Sequence, residues 1–138
     1  MQPDRIRAQF LRFAVVGTVG FAVDATVLYA LIYGLGAGPY LGRLASFLAA
    51  ASVTWLLNRR FTFPDSGSQP AHRQWTVFVA FMAVGGALNY GVYALVVTFA
   101  PDHPVTPLLA VAAGAVAGLA VNFTTSRLFV FGPGFSRP

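Results

Sequence analysis

Apolar residues come in four long runs, and polar residues collect between them. The runs cover about Phe13–Leu35, Leu41–Leu57, Val77–Ala100 and Leu108–Thr125. Each is near the roughly 20 residues that a helix needs to cross about 30 Å of hydrocarbon. The second and fourth are at the short end. The breaks are short and turn-like: Gly34-Leu35-Gly36-Ala37-Gly38-Pro39 joins the first pair, and Pro101-Asp102-His103-Pro104 the second. A polar segment, Pro64-Asp65-Ser66-Gly67-Ser68-Gln69-Pro70, lies in the middle and is expected to break any helix. The pattern predicts an all-α membrane protein with four transmembrane helices.

The pattern also repeats. Moved along by 68 positions, residues 10–63 fall on residues 78–131 without a gap, with 12 of 54 positions identical. Much of that identity is cheap in a chain rich in Ala and Val. The ends are not. Both blocks open with Phe-x-x-Phe-x-x-Val-Gly (Phe10, Phe13, Val16, Gly17; Phe78, Phe81, Val84, Gly85) and close with Arg-x-Phe-x-Phe (Arg59, Phe61, Phe63; Arg127, Phe129, Phe131). Duplication in an apolar chain points toward a transporter. The chain reads as one domain over 1–138: repeat one at about 10–63, a cytoplasmic linker at 64–75 and repeat two at about 78–131. Each repeat holds two helices, so the repeats share one orientation, with a pseudo-two-fold axis along the membrane normal.

Composition sharpens the class. Hydrophobic residues make up 57% and charged residues 9%, too few to cover a water-facing surface, where charges are about a quarter of residues. All 9 basic residues are Arg. Arg5, Arg7, Arg12, Arg59, Arg60, Arg73, Arg127 and Arg137 fall on one side of the predicted membrane, Arg43 alone on the other. That asymmetry puts both termini and the central loop in the cytoplasm. The first apolar run is too long for a cleavable signal peptide. The net charge of +5 is concentrated beside apolar spans, so anionic lipid is the nearer partner and nucleic acid is not expected. With no Cys, there is no disulfide, thiolate nucleophile or cysteine metal site. His72 and His103 are isolated, and no metal site or cofactor is expected. No nucleotide-binding loop, catalytic carboxylate pair or nucleophile–base set is visible, so an enzyme is not expected.

Asp24 lies near the centre of the first span. A carboxylate there costs about 2.5–3.5 kcal/mol on insertion scales, so it should face protein or a wet cavity. It suits a proton site or a ligand for a sugar hydroxyl or cation; a structural contact with Asn89, at similar depth, is the alternative. Arg43 belongs near the outer surface and is expected to be too far from Asp24 to pair with it. Asn89 and Asn122 could bind a sugar or bond between helices. Gly114-x-x-x-Gly118 and Ala45-x-x-x-Ala49 are small-residue faces that allow close helix approach or a homodimer. Arg12, Arg59, Arg60 and Arg127 sit at span ends beside Trp55, Phe61, Phe63, Phe123, Phe129 and Phe131. Arg forks suit phosphate oxygens, and rings against lipid tails would suit an amphiphile with a phosphate neck. The same residues would also serve as plain interface anchors.

These motifs resemble the GtrA-like family. Phe10-Leu11-Arg12-Phe13-Ala14-Val15-Val16-Gly17, followed by Gly20-Phe21 and Asp24, is similar to its opening. Asn58-Arg59-Arg60-Phe61-Thr62-Phe63 resembles its mid-chain signature, and Asn122-Phe123 with Arg127-x-Phe129-x-Phe131 its closing one. The likeness spans roughly residues 8–131. Ser126 departs from it, standing where Asn often precedes the Arg. The resemblance implies a role in cell-surface polysaccharide synthesis in a bacterial inner membrane: moving a polyprenyl-phosphate-linked sugar from the cytoplasmic to the outer leaflet. On that reading Arg12, Asn58, Arg59 and Arg127 would hold the phosphate, with Arg60 and Asn122 in secondary roles. Asp24 and Asn89 would line the sugar path or carry protons. The alternative is a non-transporting anchor or scaffold for a polyprenyl-phosphate glycosyltransferase. A four-helix drug/proton antiporter is the third reading, disfavoured by the gapless repeat.

Overall fold

The computed structural model describes residues 2–133; Arg137 lies outside the described residues. All regular structure among them is helical. Helix α1 spans Pro3–Tyr29 and widens into a π-helical turn, Ala30–Gly34. Helix α2 spans Pro39–Leu57 and closes with a second π turn, Asn58–Thr62. Helix α3 spans Ala71–Phe99, and α4 spans Thr106–Thr125 with a π turn at Ser126–Val130. All four helical segments are long and apolar enough to cross a membrane.

Proline punctuates the starts. Pro3, Pro39 and Pro107 stand in first turns, where a missing N–H costs nothing and the fixed φ suits a helix. The α1–α2 turn is closed by Gly36 at φ 66°, the left-handed region that glycine enters freely, and Ala37 N–H donates back to the Leu31 carbonyl at 2.9 Å. The α3–α4 turn is tied by Thr106 Oγ1 donating to the Pro101 carbonyl at 2.7 Å.

The expected central break is folded. Pro64–Ser68 forms a 3-10 turn with Ser66 and Gln69 buried, and α3 already begins at Ala71, inside the stretch read as linker. Helices α1 and α3 likewise start well before the apolar runs do, because polar first turns extend them beyond the hydrocarbon-length segment.

The helices pair as two hairpins, α1 on α2 and α3 on α4, with lighter contact between hairpins. One end of the bundle gathers the start of α1, the central turn, the π turns of α2 and α4, and Gly132. There Phe13, Phe63, Phe78, Phe123, Val130 and Phe131 form the buried core. Phe63 and Phe131 stack with centroids 4.7 Å apart and an 11° interplanar angle. Phe123 meets Phe10 edge-on at 5.2 Å. The expectation that these rings lie against lipid therefore needs correction. Phe61 and Phe129 do face outward, but Phe63, Phe123 and Phe131 are inside. Residues two apart at a helix end stand on nearly opposite sides, so Phe61 and Phe63 point opposite ways.

Elsewhere the outer surface is apolar. Leu11, Val15, Phe21, Leu44, Val84, Leu95 and Val116 are exposed, as lipid-facing positions must be.

Candidate functional site

A cavity of about 570 Å³ opens between the helices, bordered at one end by Phe13 and Phe78 of the aromatic core. Its wall is mostly Gly, Ala and Phe. Into it come Thr18 and Asp24 from α1, Thr54 and Asn58 from the end of α2, Asn89 from α3 and Asn122 from α4. Every intramembrane Asp and Asn singled out from the sequence borders this one space.

Close helix approach places the asparagines. An ideal Cβ on Gly85 would lie 1.7 Å from Asn122 Oδ1, so Asn122 can lie across α3 only because Gly85 has no side chain. Gly114 and Gly118 are buried against Asn89: a Cβ on Gly114 would meet the Asn89 carbonyl oxygen at 2.5 Å. The Gly-x-x-x-Gly face thus serves the α3–α4 contact within one chain. On the other hairpin, Gly20 receives Thr54, whose Cγ2 would stand 2.3 Å from an added Cβ.

Asp24 and Asn89 share the cavity without a hydrogen bond between them. Asp24 instead accepts from Arg43: Arg43 Nη1 donates to Asp24 Oδ2. The expectation that Arg43 stays out of reach is overturned. Arg43 is four residues into α2, about 6 Å from its start, and Asp24 is about 15 Å below Gly34 on α1. The tight hairpin sets the two helices side by side, and the long arginine stem covers the remaining depth.

Two residues that border the cavity each carry an acceptor with no protein donor. Asp24 Oδ1 and Asn122 Oδ1 are buried and unpaired, and so is Ser126 Oγ nearby in sequence. A buried acceptor left unpaired costs about 1–3 kcal/mol, and such groups call for an explanation in a ligand, ion or water. Asn58, by contrast, accepts from Thr62 Oγ1 at 2.7 Å, with both residues about 1% exposed.

The phosphate candidates separate on inspection of their partners. Asn58 belongs to the cavity. Arg59 turns inward: Nη1 donates to Gln74 Oε1 at 2.6 Å, and Nη2 to the carbonyls of Gly67 at 2.9 Å and Gln69 at 3.0 Å. It also lies 5.8 Å from the centroid of the Trp55 ring. Arg12 is exposed and donates to the Phe61 carbonyl at 3.2 Å. Arg127 is half-buried and donates from Nε to Gln9 Oε1 at 3.2 Å. Gln9 and Arg12 are one turn apart on α1, so Arg12 and Arg127 flank the same stretch of that helix. Arg60, next to Arg59 in sequence, is exposed.

The sequence reading missed Gln69 and Gln74. Gln74 is fully buried; its Nε2 donates to Gln69 Oε1 at 3.2 Å, and its Oε1 also accepts from Trp55 Nε1 at 3.1 Å. Gln69 Nε2 donates to the Gly132 carbonyl at 3.2 Å. The available signal was two glutamines bracketing a helix start at Pro70, which is unusual next to an apolar span. This network predicts that Arg59→Ala lowers stability by about 1.5–3 kcal/mol, the range for losing hydrogen bonds to a charged group. Arg59→Lys should restore little of it, because an ammonium cannot reproduce the three-way fork. Thermal unfolding in detergent checks this; an unchanged midpoint for Arg59→Ala would show that the network does not hold the central turn.

Four helices long and apolar enough to span a membrane point to a multi-pass membrane protein. No curated protein matches the chain. The family model described as GtrA/DPMS, transmembrane domain, matches residues 12–131, nearly the whole chain, and the chain belongs to that family.

Proposed function

We propose that the protein carries a polyprenyl-phosphate-linked sugar from the cytoplasmic to the outer leaflet, for cell-surface polysaccharide synthesis in a bacterial inner membrane. Family membership is consistent with a function related to polyprenyl-phosphate sugars, and the family consists generally of non-catalytic membrane proteins. The observation that carries the reading is the cavity bordered by Asp24, Asn89 and Asn122, with a carboxylate oxygen, Asp24 Oδ1, that lacks a donor. A sugar supplies hydroxyl donors. Its polar groups cannot cross bare hydrocarbon, since each uncompensated one costs several kcal/mol. A cavity that carries a few polar groups, such as Asp24, Asn89 and Asn122, would lower that barrier while the polyprenyl tail stays in lipid.

At the end that gathers the start of α1 and the π turns of α2 and α4, the phosphate would rest on Arg12 and Arg127, with the exposed Arg60 in a secondary role. Arg59 contributes by fixing the π turn and central loop against which they stand. The positive-inside asymmetry supports placing this end in the cytoplasm. A membrane scaffold for a glycosyltransferase needs no unpaired acceptors inside the bundle, and that favours transport.

The test is reconstitution into liposomes containing a polyprenyl-phosphate sugar, following how fast the headgroup becomes accessible on the opposite leaflet. Protein-dependent crossing is expected, slowed about tenfold or more by Arg12→Gln with Arg127→Gln, equivalent to about 1.4 kcal/mol. Folded protein that gives no crossing with several sugars would turn the reading toward the scaffold.

A further inference from the structure

The Asp24–Arg43 pair is unlike the other ion pair among the described residues. Arg5–Asp65 links two exposed side chains between the start of α1 and the central turn. Arg43 stands at the opposite end, and among the described residues no other arginine does. Its side chain is 57% exposed, while that of Asp24 is 19% exposed and borders the cavity. Arg43 spends one Nη1 donor on Asp24 and makes no other hydrogen bond in the structure. Most of a planar five-donor fork is therefore open. Asp24 has one oxygen on Arg43 and the other buried with no donor at all.

We propose that Arg43 and Asp24 form an exchange site for a phosphate group: the phosphate takes Arg43 away from Asp24, and the released carboxylate accepts hydrogen bonds from hydroxyls in the cavity. Phosphate competes well because it offers the fork two acceptor oxygens and at least one full charge. The pair holds Arg43 through a single Nη1 contact, so a ligand that engages the fork with two oxygens makes more hydrogen bonds to it than Asp24 does. The exchange gives the bundle a phosphate station at the end away from Arg12 and Arg127. It couples that station to the cavity, since Asp24 has both oxygens available only when Arg43 has moved. This deepens the transport reading, on which it rests only for the source of the phosphate, a lipid headgroup.

The site can be read locally by modifying arginines with phenylglyoxal in the protein held in nanodiscs and measuring Arg43 by peptide mass spectrometry. A short-chain prenyl phosphate is expected to protect Arg43, and the corresponding prenyl alcohol is not. Asp24→Asn removes the competitor and should lower the half-protecting concentration about tenfold, equivalent to about 1.4 kcal/mol of competition. Inorganic phosphate serves as the second arm. Protection at much higher concentration than with prenyl phosphate supports a lipid headgroup, and equal potency supports the same site filled by a soluble anion. Unchanged modification of Arg43 in wild-type protein with both phosphates would overturn the site. Protection that is the same in wild type and Asp24→Asn would overturn the exchange. Arg43 protection without headgroup crossing in liposomes would leave this site standing and remove transport alone.

Discussion

Gly114→Ala is expected to destabilise the protein by about 1–3 kcal/mol, the usual cost of overpacking a well-filled interior. One methyl group is enough, because the added Cβ would lie 2.5 Å from the Asn89 carbonyl oxygen and 2.5 Å from its Oδ1. A side chain could swing away, but a backbone carbonyl inside helix α3 moves only if the helix moves. The α3–α4 hairpin must then spread, and Asn89 and Asn122 lose the depth at which they border the cavity. Gly91→Ala makes the matching control, since nothing lies within 4 Å of its added Cβ. It should be neutral or slightly stabilising, as removing a helix glycine gains about 0.5–1 kcal/mol. Thermal midpoints of the two variants in detergent decide the point. Equal midpoints would mean that α3 and α4 are less tightly apposed than described.

The second large effect is expected at Asp24. Asp24→Ala should slow headgroup crossing by roughly 10–100-fold, which corresponds to losing about 1.5–3 kcal/mol of hydrogen bonding to a charged group. It removes the buried acceptor and leaves Arg43 without its partner. Val84→Ala, on an exposed apolar position of α3, should cross at the wild-type rate. Asp24→Ala protein that folds and transports normally would mean that the carboxylate has a role in packing alone.

The chemistry of the cavity was legible because charge and amide groups inside apolar runs are costly and therefore conspicuous. Asp24, Asn89 and Asn122 could be picked out by type and depth without knowing the packing. The four helices were legible for the same reason, since run length and turn residues suffice. What could not be read is how side chains turn. Phe63 and Phe131 look like Phe61 and Phe129 in the sequence, yet one pair stacks inside and the other faces out. Residues two apart on a helix point to nearly opposite sides, and residue type does not say which of the two faces inward. Arg59 was conspicuous as a cation at an interface, but its partners are two backbone carbonyls and Gln74, and backbone acceptors are invisible to pattern reading. Arg43 illustrates a third limit. Depth along one helix suggested separation from Asp24, while the lateral closeness of a tight hairpin brought them together.

On the proposed function, the headgroup passes through the cavity bordered by Asp24, Asn58, Asn89 and Asn122. Because the chain has no cysteine, one introduced at Ala50, a small residue of the cavity wall, gives a unique handle. The measurement is headgroup crossing in liposomes before and after this cysteine is modified with a bulky methanethiosulfonate. Crossing is expected to stop on modification, and excess lipid-linked sugar is expected to slow the modification itself. Crossing that continues at the unmodified rate with the cysteine fully modified would contradict passage through the cavity.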